Sequence, residues 1–196
     1  MPQKKSTLRT ELFQLLLLVV LMTVFRSSFA DHYHVPTGSM EYTLMPGDRV
    51  VVDKTAYGLR LPLTTIDLFG AAAPARGDVV VFDSPVDGTR LIKRIVATGG
   101  DTVGLEAGRL SVNGEPIGAG DNESYADREV VLNLQDGGGP DIGQRQIPPG
   151  MVLALGDHRG NSLDGRYFGL ISESEIVGRA VAIYYRRGDG LGWRPL

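Results

Sequence analysis

Three clusters in this chain hold the residues best equipped for chemistry. Pro36-Thr37-Gly38-Ser39-Met40 sets a serine between a glycine and a large apolar residue. Tyr33-His34-Val35-Pro36 before it reads as extended and Glu41-Tyr42-Thr43 after it as polar, so the Ser39 hydroxyl is expected at an exposed sheet rim. Thr37 offers a second hydroxyl two residues upstream. With the Ser39 backbone N–H it makes the minimum donor pair for the negative oxygen of a tetrahedral intermediate. A Gly-Ser-Met turn is also a common structural turn, and this stretch alone does not decide.

The second cluster is Arg90-Leu91-Ile92-Lys93-Arg94-Ile95-Val96. On a strand, Leu91, Lys93 and Ile95 share one face and Ile92, Arg94 and Val96 the other. Lys93 then stands between two aliphatic neighbours, where desolvation disfavours the ammonium form. A lysine acts as general base only when neutral, which requires a bias of roughly 3 kcal/mol against its charge. The plain alternative is a solvated edge-strand lysine whose stem covers apolar surface. Arg94 needs a carboxylate partner, with Asp157 and Asp164 the first candidates, and a structural ion pair is expected there.

The third cluster runs from Gly156-Asp157-His158-Arg159 through Asn161-Ser162-Leu163-Asp164-Gly165-Arg166 to Gly169. A calcium loop is excluded because Arg159 occupies a position that needs an oxygen ligand. His158 with Asp157 or Asp164 is the available Ser-His-Asp alternative, and His32 and His34 are the other histidines. No serine has a lysine three residues on, so the penicillin-recognising Ser-x-x-Lys pattern is absent.

The elements that must position these residues are short strands. Asp48–Lys54, Val79–Phe82, Leu91–Val96, Thr102–Leu105, Met151–Leu155 and Val177–Tyr185 carry the apolar runs or alternation of strands. Asn113-Gly114 between Arg109–Val112 and Glu115–Ile117 spells a two-residue hairpin turn. Residues 118–145 are polar and glycine-rich and read as a flexible surface insertion. Residues 59–75 have no clean period and read as an apolar loop. The one helical turn expected follows Ser172, a serine cap. With 26 glycines, this predicts a mainly β, antiparallel, open or barrel-like sheet.

Composition narrows the rest. The 196 residues suffice for one domain and an anchor, and a formal charge of −3 without a basic run argues against a nucleic-acid partner. Cysteine is absent, which removes thiol catalysis, disulfides and thiolate metal sites. No metal or cofactor is called for. Lys4, Lys5 and Arg9 precede the apolar run from Leu12 to Phe25, and Arg26 closes it. Residues 11–30 reach the roughly 20 needed for a membrane span. Ser28-Phe29-Ala30 equally resembles a cleavage site, which would make the segment a removed secretory signal. The basic residues place 1–10 in the cytoplasm and 31–196 across the membrane.

In order, the three clusters resemble bacterial type I signal peptidase, a membrane-anchored endopeptidase family. Val35-Pro36-Thr37-Gly38-Ser39-Met40 is similar to its nucleophile box, Ile92-Lys93-Arg94-Ile95-Val96 to its lysine box, and Gly156-Asp157-His158-Arg159 with Asn161–Arg166 to its last box. The resemblance implies Ser39 as nucleophile, Lys93 as general base, and the Thr37 hydroxyl with the Ser39 N–H as oxyanion donors. It also implies that Ser162 hydrogen-bonds Lys93, while Asp164, Arg94 and Arg166 brace the site. Tyr42 stands where proline is usual, His158 where asparagine is common, Gly165 where serine is common, and Thr37 replaces a more frequent serine. The family's second β domain should be reduced here to an insertion over 104–148.

Further implications are a retained single-pass anchor in the bacterial inner membrane, contact with lipid, and signal peptides of exported preproteins as substrates. From Arg26 to Ser39 the chain reaches at most about 45 Å, which keeps the nucleophile near the bilayer. Two readings compete with this one: a secreted β-domain binding module starting near Asp31, and a self-cleaving repressor with a related site. The lack of DNA-binding helices argues against the second.

Overall fold

The computed structural model describes residues 4–28, 30–58, 72–126 and 128–196. The loop expected over 59–75 therefore lies mostly outside the described residues. The chain opens with helix α1 (Lys4–Ser28), and most of the regular elements after it are strands. Among the described residues no helix is long and apolar enough to cross a membrane.

The strands are β1 (Ala30–His34), β2 (Arg49–Asp53), β3 (Val79–Asp83), β4 (Arg90–Thr98), β5 (Thr102–Glu106) and β6 (Arg109–Val112). They continue with β7 (Glu115–Pro116), β8 (Gly118–Ala119), β9 (Asn122–Tyr125), β10 (Arg128–Val131) and β11 (Ile142–Gln146). The last four are β12 (Met151–Leu155), β13 (Ile171–Ser172), β14 (Ile176–Arg186) and β15 (Gly190–Pro195). The main sheet follows the order β1-β2-β14-β3-β4-β12-β13, with β15 added on β14. Its paired strands all run antiparallel.

Strand β4 lies in the middle of this sheet, paired on one side with β3 and on the other with β12. That central place buries both faces of its middle, so Lys93 and Arg94 lose contact with water, while Arg90 at its start stays exposed. On one face Leu91 and Ile95 join a core of Val80, Phe82, Val152, Ala154, Ile171 and Ile176. On the other, Ile92 packs with Val79 and Val81, and Val96 with Leu153 and Leu155.

Residues 118–145 are not a structureless insertion. They contain β8 to β11, which complete a four-stranded sheet, β11-β5-β6-β7, and a three-stranded one, β10-β9-β8. Val103, Leu105, Leu110, Val112 and Ile147 share one core with Val96, Leu153 and Leu155 of the main sheet. The strands here are two to five residues long, too short to impose a readable period. The expected hairpin does form, with Asn113 at φ 55° and Gly114 at φ 86° between β6 and β7.

The Ser172 cap also forms, its side chain and that of Glu175 closing a capping box over the turn Glu173–Glu175. Two further short helical pieces occur in the third cluster: a turn at Arg159–Asn161 and helix α2 (Gly165–Phe168), which Asp164 caps.

Candidate active site

The site forms where the segment after β1 meets the middle of β4. Val35, Met40 and Leu44 are buried in the core, and they draw the turn between them inward. Ser39 is therefore buried rather than exposed at a rim, while Thr37 remains exposed. Lys93 is 2 % exposed, which rules out the solvated edge lysine. Its Nζ stands 2.5 Å from Ser39 Oγ, although 54 residues separate the two.

Burial pushes the Lys93 ammonium down to about 8 from its usual 10.5, Asp164 and Asp157 opposing that shift and Arg166 adding to it. Between those two values the folded chain binds fewer protons than the unfolded one, so stability rises with pH across that window. Below pH 8 both states hold the proton, and the whole cost of burying the ammonium remains, about 3 kcal/mol. Above 10.5 it is gone. Lys93→Met is accordingly more stable than the parent by about 2–3 kcal/mol at pH 7, the gap closing toward pH 10.5. Unfolding midpoints of both proteins at pH 7 and pH 10 check this; a variant less stable at pH 7 contradicts it.

Arg94, on the opposite face, takes Asp157 as its partner. Its Nε and Nη2 donate to the two carboxylate oxygens at 2.9 and 2.8 Å, and its Nη1 donates to the Gly77 carbonyl at 2.7 Å. Thr43 Oγ1 donates to Asp157 Oδ2 as well. Asp164 pairs with Arg166, accepting from its Nε at 2.8 Å and Nη2 at 2.7 Å, and from the Gly156 N–H at 3.0 Å. Burial pushes the Asp164 carboxyl up, but these Arg166 and Gly156 contacts outweigh it and hold it below its usual value. The loop is further fastened by Arg159, whose Nη2 donates to buried Glu123 at 2.7 Å.

Ser162 departs from what the resemblance implies. Its Oγ is buried, close to Asp164, with no hydrogen bond of ordinary geometry to Lys93 or to any described residue. It does lie beside the Ser39 turn, since a Cβ at Gly156 would collide with both Ser162 Oγ and the Ser39 carbonyl oxygen. Glycine is thus required at 156 for the third cluster to close on the first.

The Ser-His-Asp alternative is not assembled. The His158 backbone N–H donates to the Ser39 carbonyl at 3.1 Å, but its ring faces Glu41 and Asp136. His32 packs edge-on against Tyr184, with ring centroids 6.5 Å apart. Sequence reasoning missed Glu41, Thr43, Glu123, Asn133 and Asp136, all of which contact the site or its supports. Their partners lie far along the chain, so no local spacing marks them.

A buried hydroxyl in contact with a lysine of lowered proton affinity is the equipment of a serine hydrolase, a class whose base need not be histidine. The profile of the family described as signal peptidase, peptidase S26, matches residues 8–185. Signal peptidase I of Pseudomonas fluorescens is 34 % identical, the match covering 84 % of this chain and 68 % of that protein. Signal peptidase I of Leptolyngbya laminosa is 29 % identical over 94 % of this chain and 83 % of that one. The crystal structure of a signal peptidase I from Enterococcus faecalis V583 aligns with 56 % of this chain and 98 % of its own at 28 % identity, with a TM-score of 0.42. The chain belongs to the S26 family of signal peptidases. It is a serine endopeptidase that removes signal peptides from preproteins.

Proposed function

We propose that Ser39 is the nucleophile of this reaction and Lys93 its general base. The contact of 2.5 Å between Oγ and the 2 %-exposed lysine carries the reading. Neutral Nζ takes the hydroxyl proton as Oγ bonds to the scissile carbonyl carbon. The resulting oxyanion accepts from the Thr37 hydroxyl and the Ser39 N–H. Collapse breaks the C–N bond, Lys93 returns the proton to the leaving amine of the mature protein, and the signal peptide remains as an ester on Ser39. Water, giving a proton to Lys93, then attacks the ester carbonyl carbon; the C–Oγ bond breaks, Lys93 returns the proton to Ser39 Oγ, and the signal peptide leaves with a C-terminal carboxyl group.

Asp164, Arg166, Arg94 and Asp157 act at one remove, fixing β4 and the loop after β12. We infer that Ser162, buried near Asp164 and the Ser39 turn, receives the Lys93 amine once Oγ is acylated. The substrate binds as an added strand and is cut after small side chains.

Thr37 tests the oxyanion assignment. Thr37→Val, which keeps the shape and removes the hydroxyl, lowers kcat roughly 100- to 1000-fold at nearly constant KM, and Thr37→Ser keeps most of it. Steady-state kinetics on a preprotein measure this, and equal kcat values for the Val and Ser variants contradict it.

We also infer that α1 anchors the chain in the bacterial inner membrane, with residues 1–10 in the cytoplasm and 31–196 outside. Leu12, Phe13 and Leu15 through Met22 are exposed all round the helix, with no core among the described residues to receive them. A helix apolar on every side needs protein or lipid around it. Its apolar part is shorter than a span, and the flanking helical turns of Lys4–Ser28 supply the length, about 37 Å in all. Deleting residues 1–29 is expected to move the protein from the membrane to the soluble fraction; a truncated chain that still sediments with membranes contradicts the anchor.

A further inference from the structure

The nucleophile turn carries a carboxylate that the mechanism above does not use. Glu41 folds back on Gly38: a Cβ built there would stand 2.5 Å from Glu41 Oε1, and the Glu41 N–H donates to the Gly38 carbonyl at 3.0 Å. Gly38 lies between the two residues assigned as oxyanion donors. A negative charge therefore sits against the turn that must hold a second one, and the Glu41 side chain is only 23 % exposed. Water screens such a repulsion poorly where burial excludes it.

Two side chains meet this carboxylate. His158 Nδ1 stands 3.2 Å from Glu41 Oε2, and Asn133 Nδ2 donates to the same oxygen at 3.4 Å. The second ring nitrogen of His158, Nε2, lies 2.9 Å from Asp136 Oδ2. The buried ring thus lies between two carboxylates, with Asn133 Nδ2 also 3.4 Å from its Nδ1. Its own backbone holds it there: the His158 N–H donates to the Ser39 carbonyl, and the Arg159 N–H to the Asn133 carbonyl at 3.0 Å.

A second contact joins the same two segments, Gln135 Nε2 donating to Tyr42 Oη at 2.8 Å. His158 and Tyr42 are two of the positions at which the chain departs from the pattern it resembles. Here both reach segment 133–136.

We propose that His158 is a positioning residue for cleavage: its ring, set against Glu41 Oε2, holds that carboxylate on Gly38 and draws its charge away from the place where the oxyanion develops. This rests on the assignment of Thr37 and Ser39 as oxyanion donors. The penalty of losing His158 then falls on the transition state and not on substrate binding.

The full chain in detergent, assayed on a preprotein with kcat and KM separated, tests it through His158→Leu, Glu41→Gln and their combination. His158→Leu is expected to lower kcat about 10- to 100-fold with KM nearly unchanged, and adding Glu41→Gln to restore kcat to within about threefold of the parent. Glutamine keeps the shape of Glu41 and removes only its charge, so a merely structural role for His158 is not rescued this way. No loss in His158→Leu, or a loss that Glu41→Gln leaves in place, overturns the proposal. If His158→Leu does not fold, His158→Asn, polar but too short to fill the place of the ring, is expected to lose kcat several-fold and regain it with Glu41→Gln; no regain overturns the proposal equally. Thr37→Val, run alongside, separates the two levels. A kcat loss there without rescue by Glu41→Gln removes this inference alone, whereas an unaffected Thr37→Val removes the oxyanion assignment and the inference with it.

Discussion

Lys93→Met abolishes preprotein cleavage while leaving the fold intact, and Ser39→Ala does the same. Loss of general-base assistance costs about 100- to 10,000-fold, and loss of a nucleophile on the order of a millionfold. In the proposed mechanism the two residues act as one unit through a single 2.5 Å contact. The double variant should therefore be no worse than Ser39→Ala alone, since a base without a nucleophile has no proton to take. Lys93→Arg fails as well, because a guanidinium stays charged at working pH. Single-turnover cleavage of a preprotein by the four variants measures all of this. Retained turnover in Lys93→Met would remove the lysine from the mechanism.

Asp157→Ala has the largest expected effect on stability. Arg94 and Asp157 are 1 % and 0 % exposed, joined through two hydrogen bonds across 63 residues of chain. Removing the carboxylate leaves a guanidinium in the core without its counter-charge, a loss of about 3–5 kcal/mol. Replacing both partners, as in Arg94→Met with Asp157→Leu, should recover much of it, because the buried charge goes with its partner. Urea unfolding of single and double variants decides: a single variant within about 1 kcal/mol of the parent contradicts the reading. The pair also joins β4, which carries Lys93, to the loop that carries His158, so destabilisation and lost activity should appear together.

The parts of this site that can be read from sequence are those that depend on local pattern. Alternation on β4 already separates Lys93 from Arg94, and continuous apolar runs mark β3 and β12 as buried. The hairpin at Asn113-Gly114 and the cap at Ser172 are likewise local chemistry. What the sequence hides is set by long-range closure. Burial of Ser39 follows from Met40 and Leu44 reaching the core, not from the polar residues beside it. The choice of Asp157 over Asp164 for Arg94 is made by the β4–β12 pairing and the loop that follows.

Residues 118–145 defeat a periodicity reading because glycines and turns cut their strands to a few residues. Helix α2, four residues long, is likewise too short for a helical period. The hydrogen bond implied for Ser162 is a different kind of miss: the residue is in place beside the turn, but Nζ is engaged with Ser39 instead.

The direct test of the central claim is the ionisation of the Lys93 amine itself, followed by NMR of its Nζ in full-length Ser39→Ala protein held in micelles. A midpoint near pH 8, set by burial, is the predicted result. A lysine that titrates at its ordinary 10.5 would carry its proton through the working range, and it could not take one from Ser39.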